Sequence, residues 1–160
     1  MTIDFTAYKT RLELMCQEAV SGSKAMPDPL VAEPGVAIWL INIHRAIGRR
    51  ANPQVVQRLV SADLVLIRGG VDAETHGGMW EQLLTDGGTV LEYFETNRTM
   101  LTTTQTRANM IAGMVPGSIE IDLVEAGTFT VGIGRNARQV RGTQYELRFL
   151  MKNRTTQTNV

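Results

Sequence analysis

At 160 residues, 43% of them hydrophobic and 20% charged, the chain is long enough for one domain with a real core and too short for two comfortable ones. Sixteen basic and sixteen acidic side chains cancel, which excludes a general attraction to nucleic acid or an anionic membrane carried by net charge. Cys16 is the only cysteine, so no disulfide forms within the chain and a reducing compartment is expected.

The N-terminal MTIDFTAYKTR has no apolar run after a basic start, so no signal peptide is expected. Asp4 caps a predicted helix in which Phe5, Tyr8, Leu12, Met15, Cys16 and Ala19 recur at three- and four-residue spacing, placing Cys16 on the buried stripe as packing. Residues 21–35, SGSKAMPDPLVAEPG, read as a connection over the surface or an arm reaching a neighbour. Val36, Leu40, Ile43 and Ile47 share one helical face. The run AIWLINI would equally suit a buried strand, but Glu33-Pro34 as an entry and Gly48 as an exit favour helix. The run is far too short to span a membrane. Asn52-Pro53 has the form of a cap followed by proline at the first helical position, predicting a helix through Val56, Leu59, Val60 and Leu64. A short helix around Met79–Leu84 should stop at Asp86-Gly87-Gly88, and Thr89 with Glu92 forms a capping box for the next. That stripe continues through Leu91, Phe94 and Leu101, although the threonine-rich TNRTMLTTTQTR weakens it. Met110, Ile111 and Met114 resume an apolar face before Pro116-Gly117.

The period then changes from helical to two. Ile119, Ile121 and Leu123, then Phe129, Val131 and Ile133, then Tyr145, Leu147 and Phe149 alternate with polar or small residues, which predicts three antiparallel strands. The expected fold is α+β, with N-terminal helices packed on a C-terminal three-stranded antiparallel β-meander. It forms a single domain over 1–160: a mainly helical part over 1–115, the meander over 118–152 and a polar tail over 153–160.

GIGRNA, from Gly132 to Ala137, has the G-x-G-x-x-A spacing of a dinucleotide-binding turn, but such a turn must open a helix inside a βαβ unit. Here strand alternation resumes within a few residues, so no cofactor is expected. The segment reads instead as a hairpin loop presenting Arg135, Arg138 and Arg141, with Arg148, Lys152 and Arg154 extending the basic character. From Gly127 onward Glu146 is the sole acidic residue. Such cations suit phosphates or a partner's carboxylates, and a solvated loop is the plainer reading. The loop has no aromatic residue for base stacking, so any nucleic acid would be met through its backbone. Asp72, Glu74 and His76 alternate in a way that could hold a divalent cation, yet no fourth ligand stands at a recognised spacing; a polar loop is expected and no metal is assigned. His44 is expected to be partly buried and hydrogen-bonded. Glu120 and Asp122 share a strand face that Arg148 can neutralise from a neighbouring strand. With no G-x-S-x-G and no activated cysteine, no catalytic residue is expected.

Helices followed by a strand–turn–strand unit such as SIEIDLVEAGTFTVGIGRNA resemble the small neck and tail-completion proteins of tailed bacteriophages. The resemblance covers the C-terminal third and carries over no functional residue. It implies a non-enzymatic virion component, made in the host cytoplasm, that forms rings of identical copies at the head–tail joint and presents loops to adjacent structural proteins. The residues alone leave three classes open. The expected one is an assembly subunit whose acidic middle meets the basic C-terminal part of the next copy. The others are a nucleic-acid-backbone-binding protein or viral coat subunit using the C-terminal arginines, and a small enzyme without a recognisable site.

Overall fold

The Asp4 carboxylate accepts a hydrogen bond from the Ala7 amide at 3.2 Å and so caps the first helix, α1 (Phe5–Ala19), as its sequence predicts. The computed structural model describes residues 3–25, 36–68, 76–131 and 134–154. After α1 come β1 (Lys24–Ala25), β2 (Ala37–Asn52), β3 (Val55–Arg68), a second helix α2 (His76–Thr96), β4 (Glu120–Val131) and β5 (Arg138–Arg154). The five strands form one mixed sheet in the order β1-β2-β3-β5-β4, parallel between β1 and β2 and antiparallel elsewhere. Both helices pack on the same face of it. Tyr8, Leu12, Met15 and Cys16 of α1 and Val90 and Phe94 of α2 meet Val60, Leu64, Leu66, Tyr145, Leu147 and Phe149 of the sheet in one core. Tyr8 stacks on Phe149 with ring centroids 4.9 Å apart, and the Trp39 indole donates to the Ser23 hydroxyl at 3.1 Å. Cys16 is fully buried there, and burial pushes its thiol well above the ordinary range, so it packs as a small apolar residue.

The expected three-stranded meander is corrected to this five-stranded mixed sheet. Two of the added strands come from residues 36–47 and 53–64, expected as helices and found as the long hairpin of β2 and β3. Ala37, Ile38 and Trp39 are buried in succession, the pattern of a strand covered on both faces, and a continuous apolar run also satisfies helical spacing. Asn52 does bond the chain ahead of it, accepting from the Gln54 amide at 2.9 Å, but the bond closes a turn between two strands. Two expected meander strands are one strand, β4, whose pairing with β5 shifts between Leu123 and Glu125. Val124 is therefore a bulge. It turns Phe129 to the face opposite Ile121 although both numbers are odd.

The expected break at Gly87-Gly88 is also absent: α2 runs straight through it. Asp86, just before, is buried and takes a two-pronged grip from Arg68 at 2.6 and 3.0 Å, with Gln82 donating to the same carboxylate at 3.0 Å. This tertiary anchor outweighs the roughly 1 kcal/mol that each helical glycine costs. Met110 and Ile111 belong to irregular chain after a single 3-10 turn, Arg107–Asn109. α1 holds that chain in place. Arg11 donates to the carbonyls of Met100 and Asn109, both at 2.8 Å, and Glu18 accepts from the Tyr93 hydroxyl at 2.7 Å and the Thr103 amide at 2.9 Å.

Candidate functional site

The helices do not cover the whole sheet. Every residue from His44 to Gln54 is exposed, on both faces of the hairpin, so the far half of β2 and its turn into β3 form an arm beyond the helical layer. Beside it the start of β3 and the end of β5 are bare only on the face away from the helices, since Val56 and Met151 stay buried on the other. At the other end β4 and β5 run past the body in the same way, with Thr128, Thr130 and Gln139 exposed.

Strand register fixes what the arm presents. On the face away from the helices, Ile47 lies beside Leu59 and Leu59 beside Leu150, an apolar row across three strands. Ile47 is 42% and Leu59 40% exposed. One pleat further out, roughly 7 Å along the strands, the row is Arg49, Gln57 and Lys152; one pleat inward it is Arg45, Ser61 and Arg148. Arg154 lies beside Val55 at the end of the same face. A shallow groove of about 530 Å³ follows the apolar row, lined by Ile47, Arg49, Ala51, Gln57, Leu59 and Leu150. Arg50 and Arg58 emerge on the opposite face, Arg50 donating to the Pro53 carbonyl at 2.8 Å. Neither 45–62 nor 147–154 contains an acidic residue, so the arm is a block of positive charge with an apolar centre.

The residues singled out from sequence divide between two ends of the molecule. Lys152 and Arg154 stand on the arm beside Arg45 and Arg49. Arg148 is held by three carboxylates, Asp122 at 2.7 Å and Glu120 and Glu146 at 3.6 Å each; the Asp122 hydrogen bond, ahead of the other charges, raises its pKa above the ordinary arginine value. Arg135, Arg138 and Arg141 lie at the far end of the sheet. Arg135 is exposed on the 3-10 turn Gly134–Asn136, Arg138 opens β5, and Arg141 is half-buried within β5 opposite Thr128 and Arg68. The structure thus does not gather these three on one loop tip, because β5 begins at Arg138 and draws two of them into the ladder.

Sequence reasoning missed Arg45, Arg49, Arg50 and Arg58. The signal that could have found them is the absence of acid over 45–62, which the helix reading hid. His44 is the residue at which the β2–β3 pairing shifts, and its Nε2 lies 3.4 Å from the Asp63 carboxylate. Of the alternating trio, Asp72 and Glu74 lie outside the described residues and His76 opens α2. Among the described residues no group of three or more His, Cys, Asp or Glu is placed to hold a metal, and no helix is long and apolar enough to cross a membrane. Residues 26–35 of the proline-rich segment, and 155–160 of the polar tail, also lie outside the described residues. No model of a known protein family matches the chain, and no curated protein matches it.

Proposed function

We propose that the chain is a non-enzymatic structural subunit that assembles with copies of itself into a ring or shell, as a virion component of the kind its C-terminal third resembles. The observation that carries this reading is the apolar row Ile47, Leu59 and Leu150, with Arg45 on its inner side and Arg49 and Lys152 on its outer side, on a sheet face that the chain's own helices leave uncovered. Placing a branched apolar row in water gains a monomer nothing, whereas another chain covering it gains the burial. The flanking cations add a preference for an acidic neighbour. The chain has acidic surface of its own: α2 carries Glu81, Glu92 and Glu95 at exposed positions and no lysine or arginine.

A second reading, contact with a nucleic-acid backbone, draws on the same block of charge at Arg45, Arg49, Arg50, Arg58, Lys152 and Arg154. The apolar row argues against it, since phosphates gain nothing from Ile47 or Leu59 and none of the residues lining the groove is aromatic. Sedimentation of the purified chain over a hundredfold range of concentration tests the first reading. Association rising with concentration and weakened by salt is expected. A monomer throughout would sink it. Tight, salt-steep binding of duplex DNA by that monomer would favour the second reading.

A further inference from the structure

One edge of the sheet is β4; the other is the two-residue β1 and, past it, the bare length of β2. Among the described residues nothing pairs with β2 beyond Trp39 on its outer side, and nothing pairs with the outer side of β4. An unpaired edge is a row of backbone donors and acceptors that another strand can complete. These two edges are opposite in charge. Residues 43–52 of β2 hold Arg45, Arg49 and Arg50 and no acid; residues 117–131 hold Glu120, Asp122 and Glu125 and no base. Arg148 serves Glu120, Asp122 and Glu146 together, so one cation faces three carboxylates and the β4 edge keeps a negative surplus.

Direction, and the face each side chain takes, follow from the topology. The three antiparallel steps from β2 through β3 and β5 to β4 leave β2 and β4 running in opposite senses. A second copy placed alongside, with its helices on the same side, therefore lays its β4 antiparallel to this β2. Arg45, Ile47 and Arg49 share the helix-free face with Glu120 and Asp122, as the register through Ser61 and Arg148 requires. A slip of one residue would send the carboxylates to the wrong face. Shifts in pairing at His44, beyond Arg50 and at Val124 leave 45–50 of β2 and 120–123 of β4 as the regular stretches.

Resting on the self-assembly reading above, we propose that β4 of one copy extends the sheet of the next along β2, with Glu120 opposite Arg49 and Asp122 opposite Ile47, between Arg45 and Arg49. The contact joins two different edges, so it repeats head to tail and closes into a ring wherever the rotation between copies allows.

Two charge-reversal variants test this. R45E/R49E makes both edges acidic; E120K/D122K makes both basic. Each alone should associate about a hundredfold more weakly than the parent chain, since every reversed pair exchanges an attraction for a repulsion of similar size. Mixed in equal amounts they should assemble again, alternating, because each then meets an edge of opposite sign. Hydrogen exchange of the unmodified chain supplies a measurement free of any folding defect: amides within 45–50 and 120–123 should gain protection as concentration rises. If the parent chain associates but those amides stay unprotected, or the variants associate as the parent does, or the mixture fails to assemble, the edge contact is wrong and self-assembly stands. If the parent chain is monomeric throughout, self-assembly fails and the edge contact falls with it.

Discussion

If the arm is an assembly surface, making its apolar row polar should weaken association and leave the fold intact. The double variant Ile47→Thr, Leu59→Gln keeps a β-branched residue in β2 and an aliphatic stem in β3, and removes only the apolar ends. Full burial of an isoleucine or leucine side chain contributes about 1.5–3 kcal/mol. Ile47 is 42% and Leu59 40% exposed, so a partner covering them gains about two fifths of that, or about 0.6–1.2 kcal/mol per side chain. The pair is therefore worth about 1.2–2.4 kcal/mol for each contact, and its loss should raise the dissociation constant about 7- to 50-fold. Neither substitution opens a core cavity, so the cost to the monomer should stay below about 1 kcal/mol. Sedimentation equilibrium reads the first quantity and a thermal melt of the dilute protein the second. Association within twofold of the parent chain, with the melt unchanged, would refute the argument; so would a loss of association that only tracks a loss of fold.

Two further predictions concern the body that carries the arm. Asp86→Ala leaves Arg68 without its carboxylate partner in a site where the two side chains are 7% and 24% exposed; because the guanidinium still reaches water, a loss near the lower end of the 3–5 kcal/mol range, about 3 kcal/mol, is expected in urea unfolding. The apolar double variant Asp86→Leu, Arg68→Met should recover most of it, and a single-variant loss under about 1 kcal/mol would show that the pair does not anchor α2. Glu18 gives a pH dependence: desolvation raises its pKa, but hydrogen bonds from Thr103 and the Tyr93 hydroxyl outweigh this and leave it below the ordinary glutamate value. A depressed carboxylate stabilises above its unfolded pKa and loses that contribution as pH falls through its folded one. Protection of the Thr103 amide, its exchange rate set against the intrinsic rate at the same pH, should therefore fall on acidification below the glutamate range, and Glu18→Gln should abolish that acid step. An acid step that survives in Glu18→Gln would assign it to another group.

What the sequence revealed was decided by whether local pattern and tertiary burial agreed. α1 was legible because Asp4, its cap, and the stripe from Tyr8 to Ala19 point the same way. The pairing of Arg148 with Glu120 and Asp122 was legible because all three lie on regular stretches of adjacent strands. The β2–β3 hairpin was not. Its first residues are buried on both faces and lose the alternation that marks a strand. The last residues of β2 are exposed on both faces and lose it again, so neither end of β2 shows a period of two. β4 failed differently. The bulge at Val124 resets the alternation in mid-strand, and Ala126-Gly127 then imitates a turn. With the hairpin read as two helices, Arg45, Arg49, Arg50 and Arg58 were scattered over separate elements, and the block of charge they form with Lys152 and Arg154 could not be seen.

The same bulges bear on what the edges are for. A monomer must keep its outer strands from pairing with other copies, and bulges and charged side chains are common means of doing so. Protection by charge works when both edges carry the same sign, because any two copies then repel along every approach. Here the signs differ, with Arg45 and Arg49 on one edge and Glu120, Asp122 and Glu125 on the other, so like edges repel while unlike edges attract. Charge thus disfavours side-by-side dimers through two β2 strands or two β4 strands, and of the edge pairings it favours the proposed head-to-tail one. His44 and Val124 then confine that contact to a few residues, which limits how far the register can slide. Edges that were merely guarded would need neither the opposite signs nor a regular stretch left open between the irregularities.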